Sequence, residues 1–241
     1  MSAISEPEPP TMRERYRAQV RQEVKETALR QLAEAGPAGL SISAIGKQLG
    51  VSGPALYRYF ASRDDLLTEL VIDTYHDLAN ALEAATSHVP DANPPGRFEA
   101  LARAYRCWAV AEPHRYRLLF GPPLPGYEAH AQRLVKASWA AMDLLLGALG
   151  GFAAGAAAQP AAPLAAELTA WAHHHGFRVD AATALRAVLA WSQLHGIVSL
   201  EIAGNFASMG IDADQLFEIQ LTAITATPPS GRSDQRFQPK G

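Results

Sequence analysis

The chain has a single cysteine, Cys107, among 241 residues. One thiol excludes an intramolecular disulfide framework and suits a reducing cytoplasm. Beside Trp108 in an apolar stretch, it reads as packing rather than as a redox or dimer-bridging group. A long apolar run is also lacking. The nearest approach, Ala137 to Ala158, carries Asp143 in its middle and is mostly Ala and Gly thereafter. Its insertion into a bilayer would be unfavourable, so no membrane span is expected. The Pro- and Glu-rich start has no apolar segment of the kind a secretory leader needs. No His-x-x-x-His or Glu-x-x-His pair and no phosphate-cradling glycine loop occurs, and Cys107 has no evident base. A helical metal-dependent enzyme built on the histidines with Asp143 or Glu201 is the rival reading, without positive support. No cofactor and no metal are expected.

What is present is 48% hydrophobic residues against 19% charged, enough for one sizeable core or one core and a small satellite. The stretch Leu40 to Leu67, LSISAIGKQLGVSGPALYRYFASRDDLL, has the most specific spacing. Ser41 is placed to cap a short helix with Ile45 and Leu49 one turn apart on its buried side. Gly50 stops that helix at a turn needing positive φ. Val51 plugs the corner, and Gly46 lets a second helix approach closely. Ser52 is placed to cap that second helix, with Pro54 in its first turn and Leu56, Tyr59 and Phe60 inward. Its other side then carries Gly53, Ala55, Tyr57 and Arg58. A slim leading end followed by hydrogen-bonding groups suits a helix entering the major groove better than an ordinary helical hairpin.

Leu56-Tyr57-Arg58-Tyr59-Phe60, followed by Ser62, Arg63 and Leu66-Leu67, resembles the DNA-binding segment of the tetracycline-repressor (TetR) family of bacterial transcription regulators. The resemblance implies an all-α fold, with a three-helix helix-turn-helix head and a helical ligand-binding and dimerisation domain. It assigns Ser43, Gly53, Pro54 and Ala55 to base contacts, and Ser41, Tyr57, Tyr59 and Arg63 to the phosphate backbone. Ser52 and Arg58 complete the candidate DNA surface. Since Ser43, Gly53 and Ala55 are short, direct readout is expected to be sparse, leaving thymine-methyl contacts and DNA shape a larger share.

Charge is distributed to match. Between Thr11 and Phe60 stand eight basic and four acidic residues, a net +4 in a chain whose formal charge is −3. Arg13, Arg15 and Arg17 either reach phosphates or the minor groove as an arm, or pair with Glu14 and solvent.

The domains expected are a disordered arm over 1–11, the DNA-binding head over 12–62, an effector-binding and dimerisation domain over 63–226 and a disordered tail over 227–241. The first helix spans Met12 to Ala35, with Tyr16, Val20, Val24, Ala28 and Leu32 on one stripe. A connecting helix runs from Arg63 to about Ser87, capped by Ser62, and is the natural lever between two DNA heads. After a loop over Val89 to Gly96, a helix presents Phe98, Leu101, Ala102, Tyr105, Trp108 and Ala109 on one face. Further helices are expected over His114 to Phe120, Tyr127 to Leu149 and Leu164 to Phe177, with an Ala/Gly/Pro loop over Gly150 to Pro163. His173, His174 and His175 cannot all face one ion, because successive helical residues point about 100° apart. They read instead as a helix C-terminus, ended by Gly176.

Two long apolar helices close the chain, capped by Asp180 and Asp212, the latter with Gln215 in a capping box. Their surplus apolar surface predicts a two-fold partner forming a four-helix bundle, through Leu185, Val188, Leu189, Val198, Ile202, Leu216, Phe217 and Ile224. Trp191 to Gly196, W-x-x-x-H-G, resembles a Trp-His-Gly C-terminal domain of some TetR-like regulators. Tyr105, Trp108, Phe120, Trp139, Met142, Trp171, Trp191 and His195 are the candidates to line an effector pocket, with core packing the competing role for each. The expectation is a cytoplasmic homodimer that binds a double-stranded, pseudo-palindromic operator and responds to an unidentified small-molecule effector as a repressor. A constitutive binder or activator with the same head is the alternative.

Overall fold

In the computed structural model the described residues are 11–36, 39–121, 131–150 and 159–225. They form helices, with no strand among them. In order these are α1 (Met12–Ala35), α2 (Ile42–Leu49), α3 (Gly53–Leu56), α4 (Arg63–Thr86), α5 (Pro94–Ala111), α6 (Pro113–Phe120), α7 (Ala131–Gly150), α8 (Ala162–His174), α9 (Ala181–Ile202), α10 (Asn205–Ser208) and α11 (Ala213–Thr225). Residues 1–10 of the expected arm, residue 226 and the expected tail over 227–241, the expected helical start over 127–130 and most of the Ala/Gly/Pro segment lie outside the described residues.

Contacts divide the chain into two compact units. One takes the described residues up to Tyr75 together with those of 112–137, and the other takes those of 76–111 and from 138 on. The division therefore falls inside α4 and α7, and α6 groups with α1, α2 and α3.

In the first unit, Val20, Val24, Ala28 and Leu32 of α1 pack with Leu40, Ile45, Leu56, Phe60, Leu66, Leu67 and Leu70, and Leu118 of α6 covers part of this core. Burial of such side chains contributes roughly 1.5–3 kcal/mol each. Tyr16, expected on the same stripe, is 65% exposed, because it lies a full turn before Val20, where the core begins. Thr11, expected in the arm, is the N-cap of α1. Its hydroxyl accepts from the Glu14 amide while its own amide donates to the Glu14 carboxylate at 2.8 Å.

The turn after α2 follows its glycines. Gly50 adopts φ 65°, ψ 20°. A Cβ on Gly46 would stand 2.8 Å from the Val51 carbonyl oxygen and 2.9 Å from Leu56 Cδ1. Two expectations fail here. The second helix has only one helical turn, with a hydrogen-bonded turn over Tyr57 to Tyr59, and Ser52 caps it through no side-chain bond, its carbonyl accepting instead from the Ala55 and Leu56 amides.

In the second unit, α5 buries Phe98, Leu101, Ala102, Tyr105, Trp108 and Ala109. α5 begins at Pro94, inside the expected loop, since proline is tolerated in a first helical turn. α8 likewise begins at Ala162 rather than Leu164, with Pro163 in its first turn. Cys107 is exposed, on the solvent stripe of α5 with Arg103 and Val110, so it is not core packing. Asp180 caps α9, accepting from the Thr183 amide at 2.7 Å, and the Asp212 carboxylate opens α11 by accepting from both the backbone amide and the side-chain amide of Gln215, a cap in which the glutamine bonds the carboxylate rather than the Asp212 amide that the expected capping box would engage. The sequence reading does not anticipate α10, whose Phe206 is buried.

Gly46→Ala should destabilise the protein by about 1–3 kcal/mol, because one obstacle is backbone that cannot rotate away. Gly147→Ala, on the exposed side of α7 with nothing within 4 Å, should stabilise by up to about 1 kcal/mol. Urea denaturation of both variants checks the pair, and equal effects would contradict the close approach.

Candidate functional site

The reading segment is built from the turn outward. Leu56 and Phe60 are almost fully buried, so the side opposite them faces solvent. Ser43, Ser52, Pro54, Tyr57 and Arg58 are exposed there, Tyr57 by 57%. Ser41, Gly53, Ala55, Tyr59 and Arg63 are half-buried. Ser41 Oγ accepts from the Ala44 amide at 3.3 Å and lies 3.0 Å from Ser43 Oγ, which holds both hydroxyls at the N-terminus of α2. Arg63 Nε donates to the Leu40 carbonyl at 3.4 Å and its Nη1 stands 3.8 Å from Asp64, so the base of α4 is tied to the entrance of α2. Ser62 accepts from the Asp65 amide at 3.0 Å, and Asp65 in turn accepts from the Ala61 amide.

Sequence reasoning misses the partners behind this surface. Arg17 Nη2 donates to the Arg58 carbonyl at 3.4 Å, and Arg21 Nη1 donates to the Tyr59 carbonyl at 2.5 Å. Their guanidinium carbons stand 6.0 Å from the Tyr59 ring centre and 4.6 Å from that of Phe60, respectively. Arg21 and Lys25 each reach Glu69 at 3.2 Å, Lys25 reaches Asp73 at 2.7 Å, and Arg133 of α7 reaches Glu69 at 2.7 Å. Burial acts to raise the Glu69 carboxyl, but the hydrogen bonds and charges of Arg133, Lys25 and Arg21 outweigh it and hold the group below the ordinary value. The signal is in the spacing. Arg17, Arg21 and Lys25 recur every four residues on α1, as Glu69 and Asp73 do on α4, so each set lines one helical face.

The expected effector residues fall into separate groups. Phe120 belongs to the first unit, 5.1 Å from the Tyr116 ring and 6.5 Å from Tyr75. In the second unit the Tyr105 hydroxyl lies 3.4 Å from His195 Nδ1, and Trp191 stacks on His195 at 5.2 Å. Trp108 donates to Asp77 at 2.9 Å. Trp139 stacks on Phe177 at 5.5 Å, with Trp171 edge-on to His175, while Met142 is half-buried on α7. A concavity of about 460 Å³ lies between α5 and α11, lined by Cys107, Val110, Ala111 and Phe217 under Arg103 and Arg106. None of the expected effector residues lines it. Its arginines are engaged, Arg103 with Glu99 and Glu218, Arg106 with Glu201 and Asp214. Among the described residues no cluster of three potential metal ligands occurs, and no helix is long and apolar enough to cross a membrane.

On the last long helices, α9 turns small residues inward, Ala182, Ala184, Ala187 and Ala190, and leaves Leu189 49% exposed. On α11, Ile219 is 67% exposed. Leu185, Val188, Ile202, Leu216 and Ile224 are half-buried. Val198 and Phe217, expected on a partner face, are instead in the protomer's own core, with Phe217 beneath the Arg106 guanidinium.

Residues 26–70 match the profile described as bacterial regulatory proteins, tetR family, and residues 98–181 and 178–224 match the tetracyclin repressor-like C-terminal domain. An HTH-type transcriptional regulator of Mycobacterium tuberculosis is 34% identical over 219 residues, covering 87% of this chain and 92% of its own. The crystal structure of a protein assigned a regulatory role, SCO4313, is 40% identical and superimposes with a TM-score of 0.74 over 89% of this chain and 98% of that one. The transcriptional regulator FadR of Bacillus subtilis, in complex with stearoyl-CoA, shares the fold at 14% identity, with a TM-score of 0.58 over 86% of this chain and 98% of its own.

Burial holds the His195 imidazole below its ordinary value, and burial together with the charge of His174 does the same to His175. The folded state thus binds fewer protons than the unfolded chain, whose histidines titrate near pH ~6.5. Stability is therefore full above that pH and falls as pH drops below it. Melting temperature should decline from pH 7.5 to pH 5, and His195→Gln should flatten part of the decline. An unchanged slope in that variant would exclude His195 as a source.

Proposed function

The chain belongs to the tetracycline-repressor family of helix-turn-helix transcriptional regulators, and from that premise we propose that it is a ligand-responsive repressor whose homodimer places residues 53–58 of each protomer on half of a pseudo-palindromic operator. The observation that carries this reading is the two-sidedness of the segment. Leu56 and Phe60 are locked into the head core while Tyr57 and Arg58 project away from it. Such a segment presents hydrogen-bonding groups on a rigid base, which base-edge and phosphate recognition require.

In this reading Ser43, Gly53, Pro54 and Ala55 face bases, while Ser41, Tyr57, Tyr59 and Arg63 face phosphates. The dimer uses the outward apolar side of α9 and α11, around Leu189 and Ile219. Burying two such exposed side chains per protomer adds several kcal/mol to association before the costs of ordering. An effector acts in the second unit, and α4, which spans both units, is a continuous helical path to the head.

Two measurements test the reading. Purified protein titrated onto duplexes spanning the DNA on either side of its coding region should protect a pseudo-palindrome, and Tyr57→Ala should weaken that binding by about tenfold, the worth of one charge-assisted hydrogen bond. Failure to prefer any duplex, extended to a selection from random sequence, would end the proposal. Leu189→Glu combined with Ile219→Glu should yield a folded monomer in sedimentation experiments, whereas an unchanged oligomer would move the interface elsewhere.

A further inference from the structure

We infer that Arg21 of α1 is a positioning residue for DNA reading: it clamps the Tyr59 carbonyl to Glu69 and so fixes where Tyr57 and Arg58 stand, without itself meeting phosphate. The inference rests on the proposed DNA face at residues 53–58.

The need for a clamp follows from the shortness of α3. Four residues in one helical turn leave the following carbonyls without an amide four positions on, and they carry the partial negative charge of a helix C-terminus. The chain then runs into Ala61 and Ser62 and begins α4, so no further turn of the same helix receives those carbonyls. Arg17 and Arg21, one turn apart on α1, donate to the two successive carbonyls of Arg58 and Tyr59.

Of the two, Arg21 is the more constrained. One end of its guanidinium donates to Tyr59, the other meets Glu69 at 3.2 Å, and its central carbon lies over the buried Phe60 ring. Three contacts in three directions fix the position and orientation of a planar group, which a lysine ammonium cannot reproduce. Glu69 is held in turn by Lys25 and Arg133. A basic residue counted in the head's net positive charge is thus engaged on the inner side of the segment.

The test uses the full chain and a duplex selected from a random pool by the wild-type protein, with a scrambled duplex alongside, over a range of KCl. Arg21→Gln should weaken binding to the selected duplex by about tenfold, with an unchanged salt slope and little effect on the scrambled duplex. Arg21→Lys should recover part of the loss. Glu69→Gln discriminates most sharply. Removing a negative charge would by field alone tighten binding to both duplexes, whereas loss of the clamp weakens binding to the selected one.

A salt slope shallower by about one in Arg21→Gln would make Arg21 a phosphate contact and overturn the inference. So would wild-type affinity in that variant, or tighter binding by Glu69→Gln. If Arg21→Gln fails to fold, judged by its melting curve, Arg21→Lys and Glu69→Gln carry the same comparison. Tyr57→Ala separates the two readings. If it binds like wild type, the DNA face itself is wrong; if it loses binding while the Arg21 variants do not, only the clamp is.

Discussion

A helix of one turn cannot hold itself, and the geometry of the head follows from that constraint. Nucleating an isolated turn is unfavourable, because several dihedral angles are fixed for one or two hydrogen bonds. Residues 53–60 are therefore placed by tertiary contact. Leu56 and Phe60 are buried in the core formed by α1, α2 and α4, and Gly46 allows Leu56 to approach the α2 backbone. The carbonyl end is met by donors from α1. Every group that fixes the segment lies behind it, which leaves the front to be short and varied.

The same economy appears in the second unit. α9 packs against α5 and α8 through four alanines together with Leu194, Ile197 and Val198, while Leu189 and Leu200 lie outward. Over its first half, alanines inside with Leu189 outside invert the usual order of a surface helix. On a protein destined to remain a monomer the arrangement leaves apolar area in water. On one half of a proposed four-helix bundle it gives each side of α9 a partner of suitable shape.

Local chemistry makes most elements legible in the sequence. The caps at Ser41, Ser62, Asp180 and Asp212 and the stop at Gly50 are decided within four residues, and each is realised by the hydrogen bond or dihedral its sequence implies. The face of α5 follows from its apolar period. What was not legible depends on contacts distant in sequence. Ser52 has the right type for a cap, but here only its backbone carbonyl engages the first turn. Phe120 groups with Tyr75 and Tyr116 because α6 packs on α1, which no pattern within 113–120 announces. The candidate aromatic residues were legible as large, but not that Tyr105 and Trp108 are buried while Phe120, Trp139, Trp171 and Trp191 are half-buried, nor that they assort into separate groups. The front of the proposed DNA site could be written from its motif, whereas its support from Arg17, Arg21 and Glu69 required the fold.

That difference changes what the charge of the head means. Counting residues gives eight cations between Thr11 and Phe60, as if each were free to neutralise phosphate. Counterion release depends only on cations that meet the duplex. Arg21 and Lys25 are paired with Glu69 and Asp73, and Arg17 and Arg21 are also engaged with carbonyls of the reading turn. These charges act on recognition by fixing the segment rather than by adding to its field. A head of this kind should derive less of its affinity from non-specific attraction than its composition suggests, and more from the fit of one short, externally braced segment to its site.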